Sequence, residues 1–248
     1  MTTSRDLQPL AAQPAISVAS TRAAGVGIVL SSILSIVFVA LDPMANGRDP
    51  QSILQSMVNN QATHQLIHVV AMLCVLVQLY GYTLLTQRLN PQRPTVRLAY
   101  LSFALGSVLM FTATIIDGFV STDTAAVFLK GSPEAVKFGY WMVQTIEGVV
   151  LTDIARVAWV LQSIAAVAWS LALLRQAGVQ RVVGSIGLVA GALPAVAVIL
   201  AGSNMTVTVV VGVLLVQALW NISAGILLLM FDRSRKPADA RNTQAAYS

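Results

Sequence analysis

The chain has 248 residues, 56% of them hydrophobic and 10% charged, with a formal net charge of +5. So apolar a balance excludes a soluble domain of this size and points to a chain that lives in lipid. The basic residues stand in twos and threes at the edges of apolar segments, not in one stripe, which excludes a nucleic-acid surface; a pI near 9.8 reads instead as membrane orientation and attraction to anionic headgroups.

In chain order, residues 1–21 are polar with scattered charge and are expected to form a disordered cytoplasmic tail. A cleaved signal peptide fits less well, because the apolar stretch that follows is long for a leader and no clean A-x-A site ends it. Residues 22–231 hold six apolar segments, approximately 23–41, 66–85, 98–120, 151–174, 182–201 and 207–230. Each is near the 20 or so residues that a helix needs to cross a hydrocarbon core of about 30 Å, where its backbone must be satisfied internally. The expected fold is therefore all-α, a polytopic bundle of six transmembrane helices in a lipid bilayer. Residues 232–248 are polar and are expected to be a second loose cytoplasmic tail.

Two connections hold more than a turn. Residues 42–62 begin DPMANGRDP and continue SILQSMVNN, where Ile53, Leu54 and Met57 share an approximate helical face, so a short interfacial helix is expected there. Residues 121–150 contain PEAVKFGYWMVQTIEGVV, with Pro133 at a helix start and the aromatics Phe138, Tyr140 and Trp141 suited to headgroup level. The stretch 134–150 reads either as an interfacial helix or as an extension of the fourth span. Together these segments would cap one end of the bundle.

Lys and Arg are retained in short cytoplasmic loops, so the charge census sets the orientation. With both termini inside, eleven of the fifteen basic residues fall on the cytoplasmic side: Arg5, Arg22, Arg88, Arg93, Arg97, Arg175, Arg181, Arg233, Arg235, Lys236 and Arg241. Arg48, Lys130, Lys137 and Arg156 remain for the outer half, with Asp42, Asp49, Asp117, Asp123, Glu134, Glu147 and Asp153. The plasma (inner) membrane, N-in and C-in with the caps outside, is the expected location.

The second span begins HQLIH, and His64 and His68 lie about 40° apart on one helical face, with Gln78 and Tyr82 further along the same stripe. A polar face of this kind has to look into the bundle or a hydrated cavity. Two imidazoles at i and i+4 can reach one metal ion, and Asp117 at the end of the third span and Glu147 and Asp153 around the start of the fourth are the acids placed to complete the set. His, His and carboxylate suit zinc or a non-haem iron. The arrangement is similar to membrane zinc hydrolases of the ceramidase and adiponectin-receptor type, which also place His and Asp ligands among helix ends. This chain differs in having two histidines and six spans, without a further histidine pair on a late helix. The same residues also admit a plainer account, in which His64 is a solvated helix-start residue and His68 bonds a neighbouring helix, and a third, in which the pair relays protons.

In the fourth span Asp153 and Arg156 are close enough to pair on one turn, and Arg156, Ser163 and Ser170 share a face. An arginine there needs an acid partner; a pair locking the third and fourth spans is expected, with an anchor for an anionic group as the alternative. Asn221, beside Gln217 in the sixth span, is a candidate substrate contact. Gly187, Gly191 and Ala195 in the fifth span form a small-residue face, near Pro194, that suits close packing or a homo-oligomer or membrane-partner interface. Cys74, the single cysteine, sits within a span and reads as a packed apolar residue.

The chain holds no GxxxxGK[ST], GxSxG, HExxH or CxxC, no Lys inside a span for a Schiff base, and both histidines on one helix, which does not suit a haem. Quinone or lipid binding between helices needs no motif and stays open. The functional expectation is an outward-opening polar pocket between spans two, three and four that takes a metal ion or a small polar or lipid ligand. A non-catalytic assembly or regulatory subunit is the first alternative; a small-solute transporter or a metal-dependent membrane hydrolase is the other.

Overall fold

The computed structural model describes residues 17–231 apart from Met44 and Ser203. Eight helices and no strands are found among the described residues: α1 (Val18–Leu41), α2 (Pro50–Arg88), α3 (Pro94–Ile115), α4 (Thr122–Phe128), α5 (Pro133–Thr145), α6 (Thr152–Leu174), α7 (Val179–Ala201) and α8 (Val207–Met230). Each start has a local cause. Ser17, Ser132 and Thr206 cap α1, α5 and α8 by accepting from the amides of Ser20, Ala135 and Val209, and proline opens α2, α3 and α5. At the other end, Asn90 with φ of 72° stops the chain after α2. The two tails expected from composition lie largely outside the described residues, and α1 is already helical at Val18.

Among the described residues, six continuous helical stretches are long and apolar enough to cross a membrane, so the chain is an integral membrane protein. Large side chains such as Leu30, Leu101, Val108 and Leu200 stand exposed on their outer faces, where lipid takes the place of a protein partner. The spans close into a ring in sequence order. α1 packs on α2, α2 on α3, α3 on α6, α6 on α7, α7 on α8, and α8 back on α1. A glycine pair allows one of these approaches, α1 on α8: a Cβ on Gly25 would stand 2.7 Å from the Gly225 carbonyl oxygen, and one on Gly225 2.8 Å from that of Gly25.

Three stretches overshoot a bilayer. α2 has 39 residues, Pro94–Phe128 has 35 and Pro133–Leu174 has 42, or about 50 to 65 Å of helix at 1.5 Å per residue. Their excess forms a helical layer at one end of the ring, with Leu54 and Met57 of α2 packed against Ala125 of α4 and Val136 and Val143 of α5. The expected cap exists, but its first part is no separate helix. Residues 50–62 are the start of α2, because DPMANGRD ends in a capping box at Asp49 and nothing after Pro50 breaks the helix. The open choice for 134–150 resolves as an extension: α5 runs into α6 through a π-helical segment, Ile146–Leu151.

Near the opposite end lies an aromatic knot. Tyr82 stacks on Trp169 at 4.6 Å between ring centres and meets Phe103 at 4.4 Å and Trp220 at 6.4 Å. Two of its polar groups pair inside it: the Trp169 indole donates to Thr86 Oγ1 at 3.2 Å and the Tyr82 hydroxyl to Asn221 Oδ1 at 2.5 Å.

Candidate functional site

The histidines meet the acids where the ring joins the cap. Asp42 caps the C-terminal end of α1, and the chain after it folds back onto α2: the Asn46 amide donates to Ser56 Oγ and the Arg48 amide to Ser52 Oγ, each at 3.1 Å. That return sets Asp42 Oδ1 2.7 Å from Nδ1 of His64. His68, one turn on, holds its own Nδ1 2.8 Å from the His64 carbonyl oxygen, and the two rings lie 4.2 Å apart.

The other nitrogen of each ring faces Asp117. His68 Nε2 is 3.1 Å from Asp117 Oδ2, and His64 Nε2 is 3.3 Å from the Asp117 backbone oxygen and 3.7 Å from Oδ1. Asp117 sits in a π-helical segment, Ile116–Ser121, between α3 and α4. The wider turn offsets the following residues and re-aims the acid, a device common at functional sites. Gly118, next to it, lets His68 approach: a Cβ there would stand 2.5 Å from His68 Cβ and 2.7 Å from Cγ.

Glu147 occupies the equivalent place in the second π-helical segment, which packs against the first, and lies within electrostatic reach of Asp117 and His64. The two segments read Ile116-Asp117-Gly118-Phe119-Val120 and Ile146-Glu147-Gly148-Val149-Val150. An Ile-acid-Gly-x-Val pattern recurring near the cap end of both helices was thus a legible signal for the site, and composition and span-finding pass over it. The other missed residue is Asp42. Its signal was position: an acid directly after the first span falls at the same depth as a histidine just before the second.

Chemically the cluster is rich in acceptors. The partners of the four ring nitrogens are carboxylate or carbonyl oxygens throughout. Two imidazoles can satisfy that surrounding only by donating from both nitrogens, or by sharing a cation with the carboxylates. Asp42, His64 and His68 each offer a ligand atom within 4.8 Å of the others, and Asp117 adds a carboxylate on the Nε2 side. Donors around a tetrahedral ion stand about 3.4 Å apart for bonds of about 2.1 Å, against separations of up to 4.8 Å here.

The remaining expected residues go elsewhere. Arg156 pairs with Asp153 at 2.9 Å along its own helix, with Asp153 largely exposed. The pair therefore forms within α6, between residues one turn apart, as their spacing allowed. Asn221 belongs to the aromatic knot. Gly187 and Gly191 face α6: a Cβ on Gly187 would fall on Ser170 Oγ and Trp220, and one on Gly191 would stand 2.9 Å from the Ser163 carbonyl oxygen. That face is filled within the chain, while Ala195 is half-buried on the same side. Cys74 is buried, as expected.

Fold and site together define an all-helical, six-span integral membrane protein with a histidine–carboxylate cluster beneath a helical cap. The chain matches no family model, no curated protein and no solved structure at a significant level.

Proposed function

We propose that the cluster binds one divalent transition-metal ion, zinc being the best chemical fit, in a pocket between α2, α3 and α6 that opens outward beneath the cap. The observation that supports this is the acceptor-only surrounding of two adjacent imidazoles. Ligation through Nε2 of His64 and His68 and the Asp117 carboxylate leaves both Nδ1 hydrogen bonds intact, so Asp42 and the His64 carbonyl orient the rings as outer partners do in metal sites. Glu147 stands beside this set as a general base for a water, which suits hydrolysis of a lipid or small polar substrate at the membrane interface.

The test is metal content. Protein purified in mild detergent and passed into metal-free buffer retains about one ion per chain by mass spectrometry, and a His64→Ala, His68→Ala variant retains none. A metal-free wild type whose double variant merely melts earlier would instead make the four residues an ionic clamp between cap and ring, consistent with a non-catalytic assembly subunit.

A further inference from the structure

Charge is divided unevenly between the two ends of the ring. Arg22, Arg88, Arg93, Arg97, Arg175 and Arg181 lie within about one turn of the helix termini opposite the cap. Among the described residues no Asp or Glu stands at that end; all of them belong to the cap end. Arg88 is held there across two helices. It is the last residue of α2 and half-buried, and its Nη2 donates at 2.7 Å to Thr21 Oγ1 of α1, a fully buried residue. Its side chain makes no other hydrogen bond and no ion pair among the described residues. Arg156, the half-buried arginine at the cap end, has Asp153 at 2.9 Å, whereas Arg88 meets only a neutral hydroxyl. A guanidinium fixed at the edge of lipid without a counter-charge asks for an anion. Nε is enclosed, so an oxyanion reaches it from the Nη edge, the geometry in which arginine takes a phosphate.

The surroundings choose among anions. Val77 precedes Arg88 by 11 residues, three turns, and so lies within about 20° of it on the same face of α2. Val77 also borders α1, since a Cβ on Gly27 would stand 2.9 Å from Val77 Cγ1. Arg88 and Val77 thus mark one seam between α1 and α2, and Val77 and Tyr80 are exposed along it, at 40% and 52%. The seam runs about 17 Å from the guanidinium, close to the roughly 15 Å of acyl layer in one leaflet. We infer that it binds one anionic phospholipid, with the phosphate on the Nη edge of Arg88 and an acyl chain along Tyr80 and Val77. The other arginines at that end gather anionic headgroups around it. His68 is 20 residues, or about 30 Å of helix, away along α2, so the site is independent of the histidine cluster.

Native mass spectrometry of the full chain titrated with phosphatidylglycerol or phosphatidylcholine tests the assignment, whatever the metal content. The expected result is one phosphatidylglycerol bound at least tenfold more tightly than phosphatidylcholine. Arg88→Gln removes that preference, Thr21→Val weakens it severalfold, and Arg175→Gln, across the ring, leaves it in place. Melting in detergent checks that each variant folds; if Arg88→Gln does not, Arg88→Lys, which keeps the charge and loses the fork, gives the same direction with Thr21→Val. Equal binding of the two lipids, or an unchanged preference in folded Arg88 and Thr21 variants, would overturn the site. So would an equal loss in Arg175→Gln, which makes the seat the whole arginine belt, or displacement of the lipid by equimolar glycerol phosphate, which makes the ligand a soluble phosphate.

Discussion

The aromatic knot and the histidine cluster are both polar assemblies inside one ring, but they differ in how their hydrogen bonds balance. In the knot two donors each meet one neutral acceptor, Trp169 with Thr86 and Tyr82 with Asn221, and the rings between them fill space. In the cluster two imidazoles meet two carboxylates and two carbonyl oxygens, a set that is balanced only by added positive charge. The first satisfies its donors from within the chain; the second is the set that the proposed cation would complete. Within one membrane protein, then, burial of polar groups separates into packing and function by donor–acceptor balance.

The comparison breaks most visibly at the knot. Trp169→Ala removes a fully buried indole and its bond to Thr86, and is expected to cost about 3–5 kcal/mol of stability, read as an earlier transition in detergent melting, while any folded fraction has the metal content of the wild type. Neutralising the cluster has the opposite signature. Asp117→Asn should leave the fold in place but weaken metal affinity more than about 100-fold, measured by competition with a chelating dye. Asp42→Asn sharpens the ligand assignment: as an orienting partner it should cost only about 10–100-fold. If Asp42→Asn proves the more damaging of the two, the ligand set is Asp42, His64 and His68, and Asp117 becomes the outer partner.

The smallest expected effect lies outside both regions, at the start of α2. Asp49 stands at the surface before the span, and the Ser52 amide, followed by the Ser52 hydroxyl, holds its carboxyl below the usual range. A depressed carboxylate lends the helix start its full support above the unfolded value near 3.9, and that support is lost as pH falls through the folded value. Protection of the Ser52 and Ile53 amides, taken relative to intrinsic exchange at each pH, should fall below about pH 4 in the wild type. Asp49→Asn keeps a cap and flattens that acid dependence.

Much of the site was legible at the level of single helices. The i, i+4 spacing puts His64 and His68 on one face whatever surrounds them, and the acid at the end of the third span was recognisable as their partner. Asp42 was not, because 22 residues separate it from His64 and only the folded return of residues 42–49 joins them. Arg156 was legible as a residue needing an acid, but whether that acid lay on its own helix or the next depends on how α6 is rotated against α3.

Six spans, an all-helical fold, a membrane setting and a polar stripe on α2 were determined by the sequence alone, since each follows from local rules: apolar length, backbone satisfaction and helical period. Tertiary structure decided the order of the ring, the use of the Gly187 and Gly191 face within the chain, and the paired π-helical turns that set Asp117 and Glu147 beside the histidines. It also decided that all six helices surround one neutral polar cavity. These depend on helix rotation and relative depth, which a hydrophobic pattern leaves free because lipid accepts any apolar face equally; only the interlocking of side chains between neighbouring helices fixes them.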